Sequence, residues 1–130
     1  MSHEEEDLRR DPRYARGIEL FNRGNYYECH EVLEEIWTTA RGPRRLLLQG
    51  LIHFAVAMHH HRRGNAAGAL RQVGKGLKKL AGYLPRYAGL DTLALYRDGT
   101  RWRGALGAGE AVTAAPVMRA AQALQSQVQG

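Results

Sequence analysis

The sequence predicts an all-α protein, a compact bundle of two helical hairpins followed by one or two C-terminal helices. Strong helix formers such as Leu, Ala, Arg and Gln are abundant, whereas the strand-favouring residues Ile, Phe and Thr are scarce. Apolar residues also recur at helical spacing between short turns that contain glycine, proline or asparagine. A chain of 130 residues with 44% hydrophobic residues is long enough for one domain with its own core.

Turn signals divide the chain into successive helices. Asp11 followed by Pro12 is a typical helix start, and this first helix is expected to end at Gly24. Further helices are predicted over residues 26–41, 43–63, 66–83 and 92–106, and a last one from Pro116. The tripeptide Arg-Gly-Asn occurs at 23–25 and again at 63–65, each time between two helices. Because two repeats are too few for a solenoid, the two hairpins are expected to close into a bundle.

The domain itself is predicted to occupy residues 11–106. Residues 1–10 are polar and acidic, so we expect them to form a flexible N-terminal arm. Residues 107–130 are expected to form a loop and a C-terminal helix that packs on the bundle or frays from it at its glutamine-rich end.

Several features indicate a cytoplasmic protein without membrane contact. The longest apolar run, residues 46–58, is shorter than the ~20 residues that a membrane span needs. The acidic start of the chain is unlike a secretory leader. A single cysteine, Cys29, excludes an internal disulfide and is best explained as a small core residue.

The net charge of +6 makes this a basic protein, but the charge is unevenly distributed. Residues 1–37 carry a net charge of −5 and residues 41–103 a net charge of +11. Such halves attract each other within one fold or across a homodimer, or the basic half binds an acidic partner. We favour complementary surfaces of one fold.

His53 is the most informative residue, because the predicted helix around it is apolar on nearly every side. A buried histidine must find a polar partner, since an unpaired polar group costs about 1–3 kcal/mol. His30 and Glu34 are the nearest candidates, and they lie beside the apolar face of the preceding helix. The candidate lining residues of a polar pocket between the two helices are Tyr27, His30, Glu34, Trp37, Gln49 and His53.

Three interpretations of this pocket remain open. Two histidines and a carboxylate, His30, Glu34 and His53, suit a divalent metal such as zinc or iron. Without a metal, the pocket can bind a small molecule, and a histidine oriented by Glu34 can act as a general base, so enzymatic activity stays undecided. The third interpretation is a structural network in which His53 donates to Glu34 or Gln49.

A second candidate site is the basic side of the amphipathic helix over 66–83. Its residues are Arg71, Lys75, Lys78 and Lys79. This basic face would serve a non-enzymatic protein-interaction module, since the hairpins are similar in design to tetratricopeptide units. A nucleic acid is the less favoured partner, although Trp102 between Arg101 and Arg103 is of a type that stacks on bases.

The motif residues also resemble a known family. His30, Glu34, Trp37, Leu46 and His53 match the signature His, Glu four on, Trp three further, then Leu and His seven apart. This is the pattern of the bacterial and archaeal family catalogued as domain of unknown function 309, with a longer interval after Trp37 that indicates an insertion. The resemblance covers about residues 12–90. It implies a compact helical fold and a motif important for function, with no established activity, substrate or cofactor.

Overall fold

The computed structural model describes residues 1–112 and 114–122, and this part of the chain contains six α-helices and no β-strand. The helices are α1 (His3–Arg10), α2 (Pro12–Asn22), α3 (Tyr26–Thr39), α4 (Pro43–Arg62), α5 (Ala66–Leu80) and α6 (Thr92–Gly107), with a 3₁₀ turn at Ala81–Tyr83. The predicted all-α fold is confirmed. None of these helices is both long and apolar enough to cross a membrane.

The central element is α4, which packs against α3 on one side and against α5 on the other. The outer helices α2 and α6 pack in turn on α3 and α5. Gly24 and Gly64, in the two Arg-Gly-Asn turns, have φ of +82° and +78°, a conformation that glycine adopts without strain. Asn65 then caps α5 by accepting a hydrogen bond from Gly68 N at 2.9 Å, whereas Asn25 makes no such bond at the start of α3.

Glycines allow α4, α5 and α6 to converge on the ring of Phe54. A Cβ added to Gly76 on α5 would lie 2.9 Å from Cδ2 of Phe54 and 3.1 Å from the Gly50 carbonyl oxygen. A Cβ added to Gly99 on α6 would lie 2.6 Å from Cε1 of the same ring. Because Cβ atoms essentially never approach a ring atom within 3.0 Å, the helices lie closer together at Phe54 than larger residues would allow.

Residues 3–10 form helix α1 within the segment that was predicted to be a flexible arm. Ser2 and Glu5 form a capping box, in which each side chain accepts from the backbone N–H of the other residue. Leu8 is buried, and Glu5 Oε1 also accepts from Ala88 N at 2.9 Å. The acidic composition suggested a solvated segment, but these carboxylates lie in the first turn, where the helix dipole favours them.

The prediction of a helix that starts at Pro116 is wrong for the described residues, because residues 114–122 are not helical. We call these residues the C-terminal strap. Asn22 Nδ2 donates to Met118 O and Asn22 Oδ1 accepts from Met118 N, both at 2.8 Å. Asp98 accepts from Val117 N at 3.2 Å. Side chains of α2 and α6 thus take the backbone groups that a helix would use, while the rest of the predicted helix, 123–130, lies outside the described residues.

A pair of glycine substitutions in α6 tests the packing around Phe54. Gly99→Ala is expected to lower the free energy of unfolding by about 1–3 kcal/mol, because the new methyl group overpacks the ring. Gly104→Ala is the control, since no atom lies within 4 Å of its added Cβ. It is expected to be neutral or to stabilise by up to ~1 kcal/mol through helix propensity. If urea unfolding shows the same change in free energy for Gly99→Ala and Gly104→Ala, the packing described around Phe54 is contradicted.

Asp98 makes the stability of the strap depend on pH. Burial acts to raise the pKa of Asp98, but hydrogen bonds from Arg119, Val117 N and Arg101 outweigh it and hold the pKa below the ordinary 3.8. Ionised Asp98 therefore stabilises the fold above this ordinary value, and the contribution is lost as the pH falls through the folded-state pKa. Asp98→Asn is expected to flatten the rise in unfolding free energy across this acidic range. If the unfolding free energies of the wild type and of Asp98→Asn change in parallel with pH, this role of Asp98 is contradicted.

Candidate functional site

The outward side of α4 is a half-exposed row of residues between α3 and α5. These residues recur at intervals of three or four, so they lie on one side of the helix. The row, here called the α4 row, consists of Leu46, Gln49, Ile52, His53, Val56 and His60. The opposite sides of α4 are buried against its neighbours. Polar side chains of α4 are therefore available to a ligand or to the flanking helices.

On the α5 side, His53 has a specific partner. Its Nδ1 lies 2.7 Å from Oε1 of Gln72, so Nδ1 donates to the amide oxygen and Nε2 of the neutral ring is an acceptor. Burial lowers the pKa of His53, the bond to Gln72 acts in the opposite direction, and the charges of Lys79 and Lys75 lower it further. The prediction that His53 forms a hydrogen bond with Glu34 or Gln49 is wrong. Gln72 was not anticipated because it lies on the border of an amphipathic helix, where periodicity gives no signal.

On the α3 side, the motif residues pair with near neighbours. His30 Nε2 lies 2.7 Å from Glu34 Oε2, one turn further along α3. The ring of Tyr27 lies 5.8 Å from that of His30 and 5.6 Å from that of His59 on α4. These contacts tie the first turns of α3 to the last turn of α4.

Trp37 lies near the C-terminal end of α3 and contacts Arg45 at the start of α4. The guanidinium carbon of Arg45 lies 4.0 Å from the centre of the Trp37 ring, and Arg45 Nη1 donates to the Trp37 carbonyl oxygen at 2.7 Å. This stacking links the end of α3 to the start of α4. The indole Nε1 is buried and has no hydrogen-bond partner within the described residues.

The predicted metal site is not assembled. His53 is bonded to Gln72 on α5, whereas His30 is bonded to Glu34 on its own helix. Across residues 1–112 and 114–122, no group of three or more His, Cys, Asp or Glu is placed to hold a metal ion. The physical reason is the close approach of α4 and α5, which gives His53 a neutral partner on the side away from α3.

A groove of about 860 Å³ between α4 and α5 joins parts of the two predicted sites. Its polar and apolar lining includes Leu46, Gln49, His53, Lys75, Lys78 and Lys79. None of its lining residues is acidic, so the groove is electropositive. Of the predicted basic face, Arg71 does not line this groove, and the α3 residues Tyr27, His30, Glu34 and Trp37 do not line it either.

Trp102 is not available to stack on a nucleic-acid base. Its side chain is 3% exposed, and its ring packs edge-on against His61, with the ring centres 5.2 Å apart. The predicted aromatic–basic cluster on α6 is therefore wrong, because the indole belongs to the core.

The central part of the chain matches a family model. The model is described as domain of unknown function (DUF309), and it matches residues 14–72. The matched segment contains the whole α4 row and also Gln72. This match confirms the resemblance carried by the motif residues, over a shorter range than expected.

The chain is similar to two curated proteins that are described as uncharacterized and to one solved structure. The uncharacterized protein YpuF of Bacillus subtilis is 41% identical over 64 residues, which are 48% of this chain and 37% of YpuF. An uncharacterized protein of Aquifex aeolicus is 28% identical over 88 residues, 67% of this chain and 25% of that protein. The chain thus spans well under half the length of these curated relatives. The crystal structure of the conserved hypothetical protein TTHA0068 from Thermus thermophilus is 39% identical, with a TM-score of 0.62, covering 72% of this chain and 97% of that one.

The titration of His53 tests the geometry of the groove. Lys79→Gln and Lys75→Gln are expected to raise the pKa of His53, because each removes a positive charge that opposes its protonation. Gln72→Leu is expected to lower this pKa by removing the hydrogen bond. Lys78→Gln is the control, because the Lys78 charge is not among the causes of the shift. The measurement is an NMR titration of the ring protons, and an equal response to all three lysine changes would contradict the arrangement.

Proposed function

This chain belongs to the family described as domain of unknown function (DUF309), and we propose that it is a protein-interaction module whose α4 row receives an amphipathic helix of a partner protein. The observation that carries this proposal is the exposure of Tyr27 and Leu46. Their side chains are 55% and 52% exposed and, Met1 apart, they are the large hydrophobic residues that the described chain leaves in solvent. Exposed apolar residues that border one surface are typical of a binding site.

Tyr27 and Leu46 lie at opposite ends of the α4 row. Leu46 is in the first turn of α4, whereas Tyr27 contacts His59 in its last turn. The 13 residue-to-residue steps from 46 to 59 correspond to ~20 Å along the helix. Half-buried Ile52 and Val56 lie between these ends. A partner helix of about four turns would cover this length, with apolar residues spaced to meet both ends and the centre.

The flanks of the row carry opposite charges. Lys75 and Lys79 lie on the α5 side, and Glu34, with a side chain 48% exposed, lies on the α3 side. A partner helix with acidic residues along one border and basic residues along the other would be oriented by these charges. The neutral His53 ring and the Gln49 amide add hydrogen-bonding groups inside the groove.

A protein partner fits these observations better than a nucleic acid. Glu34, whose side chain is 48% exposed, borders the α4 row and would repel phosphates brought onto it. The buried Trp102 removes the aromatic group that would stack on bases. The apolar centre of the α4 row likewise favours the apolar side of a helix over a phosphate backbone.

The proposal is tested by selecting partners from a displayed library of helical peptides of ~16 residues, followed by fluorescence anisotropy with the enriched peptides. Leu46→Ala and Tyr27→Ala are each expected to weaken binding about tenfold, because they remove apolar anchors. Lys75→Glu with Lys79→Glu is expected to weaken binding of peptides with an acidic border. Arg16→Glu on α2 with Arg23→Glu in the turn that follows it is the control with the same change in charge.

Selected peptides that bind all variants equally would contradict the proposal. A duplex DNA probe that binds with steep salt dependence, and is lost with the lysine variant, would assign the basic side to a nucleic acid instead. A dimer in sedimentation that Leu46→Ala disrupts would show that a second copy occupies the row, which also contradicts a foreign helix.

A further inference from the structure

A crevice of about 300 Å³ lies on the other side of the molecule, away from the α4 row. It is bounded by α1, α2, the loop over 88–90 and the C-terminal strap. Its walls include two cationic residues, Arg9 and Arg119, and two apolar residues, Ile18 and Leu90. Arg9, Leu90 and Arg119 lie outside the segment that matches the family, whereas Ile18 lies inside it.

The two arginines of the crevice have unused hydrogen-bond donors. Arg9 Nη1 contacts the sulfur of Met1 at 3.7 Å, a weak acceptor, and within the described residues Arg9 forms no ion pair with a carboxylate. Arg119 Nη1 pairs with Asp98 Oδ2 at 2.9 Å, yet its side chain is 50% exposed. Since a guanidinium has five N–H donors, both side chains can bind a further anion.

The backbone makes room for Arg9 at this site. Gly89 has a φ of +76°, and a Cβ added there would lie 2.9 Å from Arg9 Nε. Glycine therefore lets the Arg9 side chain lie against the turn at the edge of the crevice. The exposed Arg9 side chain therefore passes close to Gly89 at the edge of the crevice.

The wall of the crevice also includes an unsatisfied hydroxyl group. Tyr14 is 4% exposed and lines the crevice, and its hydroxyl has no hydrogen-bond partner within the described residues. Burial raises the pKa of Tyr14, the neighbouring Tyr87 acts in the same direction, and the charge of Arg9 acts in the opposite direction. An anion in the crevice would bring acceptor atoms to the wall that holds this unpaired donor.

We propose that this crevice binds a small carboxylate with a short apolar body. The carboxylate pairs with Arg9 and Arg119, and the body packs against Ile18 and Leu90. This ligand class combines the two properties of the walls, since an inorganic anion would leave the apolar surface uncovered and a neutral molecule would leave the guanidinium groups unpaired.

The test compares hexanoate with hexanamide, which has a similar shape and no charge, in NMR titrations of the isotope-labelled full chain. Hexanoate is expected to shift the amides of Ala88, Gly89 and Ala120 in a saturable manner, whereas hexanamide is expected to bind at least about fivefold more weakly. Arg9→Gln is expected to remove this difference between the two ligands. Arg10→Gln is the matched control, because the Arg10 side chain is 77% exposed and does not line the crevice.

Equal responses to hexanoate and hexanamide in the wild-type chain would overturn the proposal. So would hexanoate binding that survives Arg9→Gln unchanged, or shifts confined to residues outside the crevice. Inorganic phosphate serves as a third probe. If phosphate shifts the same amides at least as strongly as hexanoate, the crevice is a site for anions in general and the proposed apolar contact is wrong.

Discussion

The contact between α4 and α5 at Gly50 and Gly76 is the constraint on which the candidate site depends. A side chain at Gly76 would meet both the Gly50 carbonyl and the Phe54 ring, so the distance between these helices is set by the absence of side chains. At this distance the Gln72 amide reaches His53, and the Tyr83 hydroxyl donates to the carbonyl of Pro43. The lysines of α5 lie beside the α4 row for the same reason. The electropositive groove is thus a consequence of packing in the core.

The sequence was sufficient to predict the helices of the bundle, because glycine, proline and asparagine mark the turns between them. It also identified the side of α4 that carries Gln49 and His53, since helical periodicity determines which residues share a face. The partner of His53 was not predictable in this way. Periodicity describes one helix at a time, whereas the choice between Glu34 and Gln72 depends on how closely α4 approaches each neighbour.

The ends of the chain were predicted less well, for a different physical reason. The acidic composition of residues 1–10 favoured a flexible arm, but the capping box and the buried Leu8 stabilise a helix there. Pro116 is a good residue for starting a helix, and local signals favoured one there. The decisive contact is between Asn22 and Met118, which are 96 residues apart in the sequence. A contact of this kind leaves no local pattern in either segment.

Helix α1 and the C-terminal strap attach to the same loop, residues 88–91. Glu5 accepts from Ala88 N, Ala121 N donates to the carbonyl oxygen of Gly89, and Asp91 N donates to that of Arg119. α1, this loop and the C-terminal strap therefore support one another, and removing any one of them exposes backbone groups of the others. Because these hydrogen bonds are shared, a change that loosens one of the three segments is expected to lower the local stability of the other two.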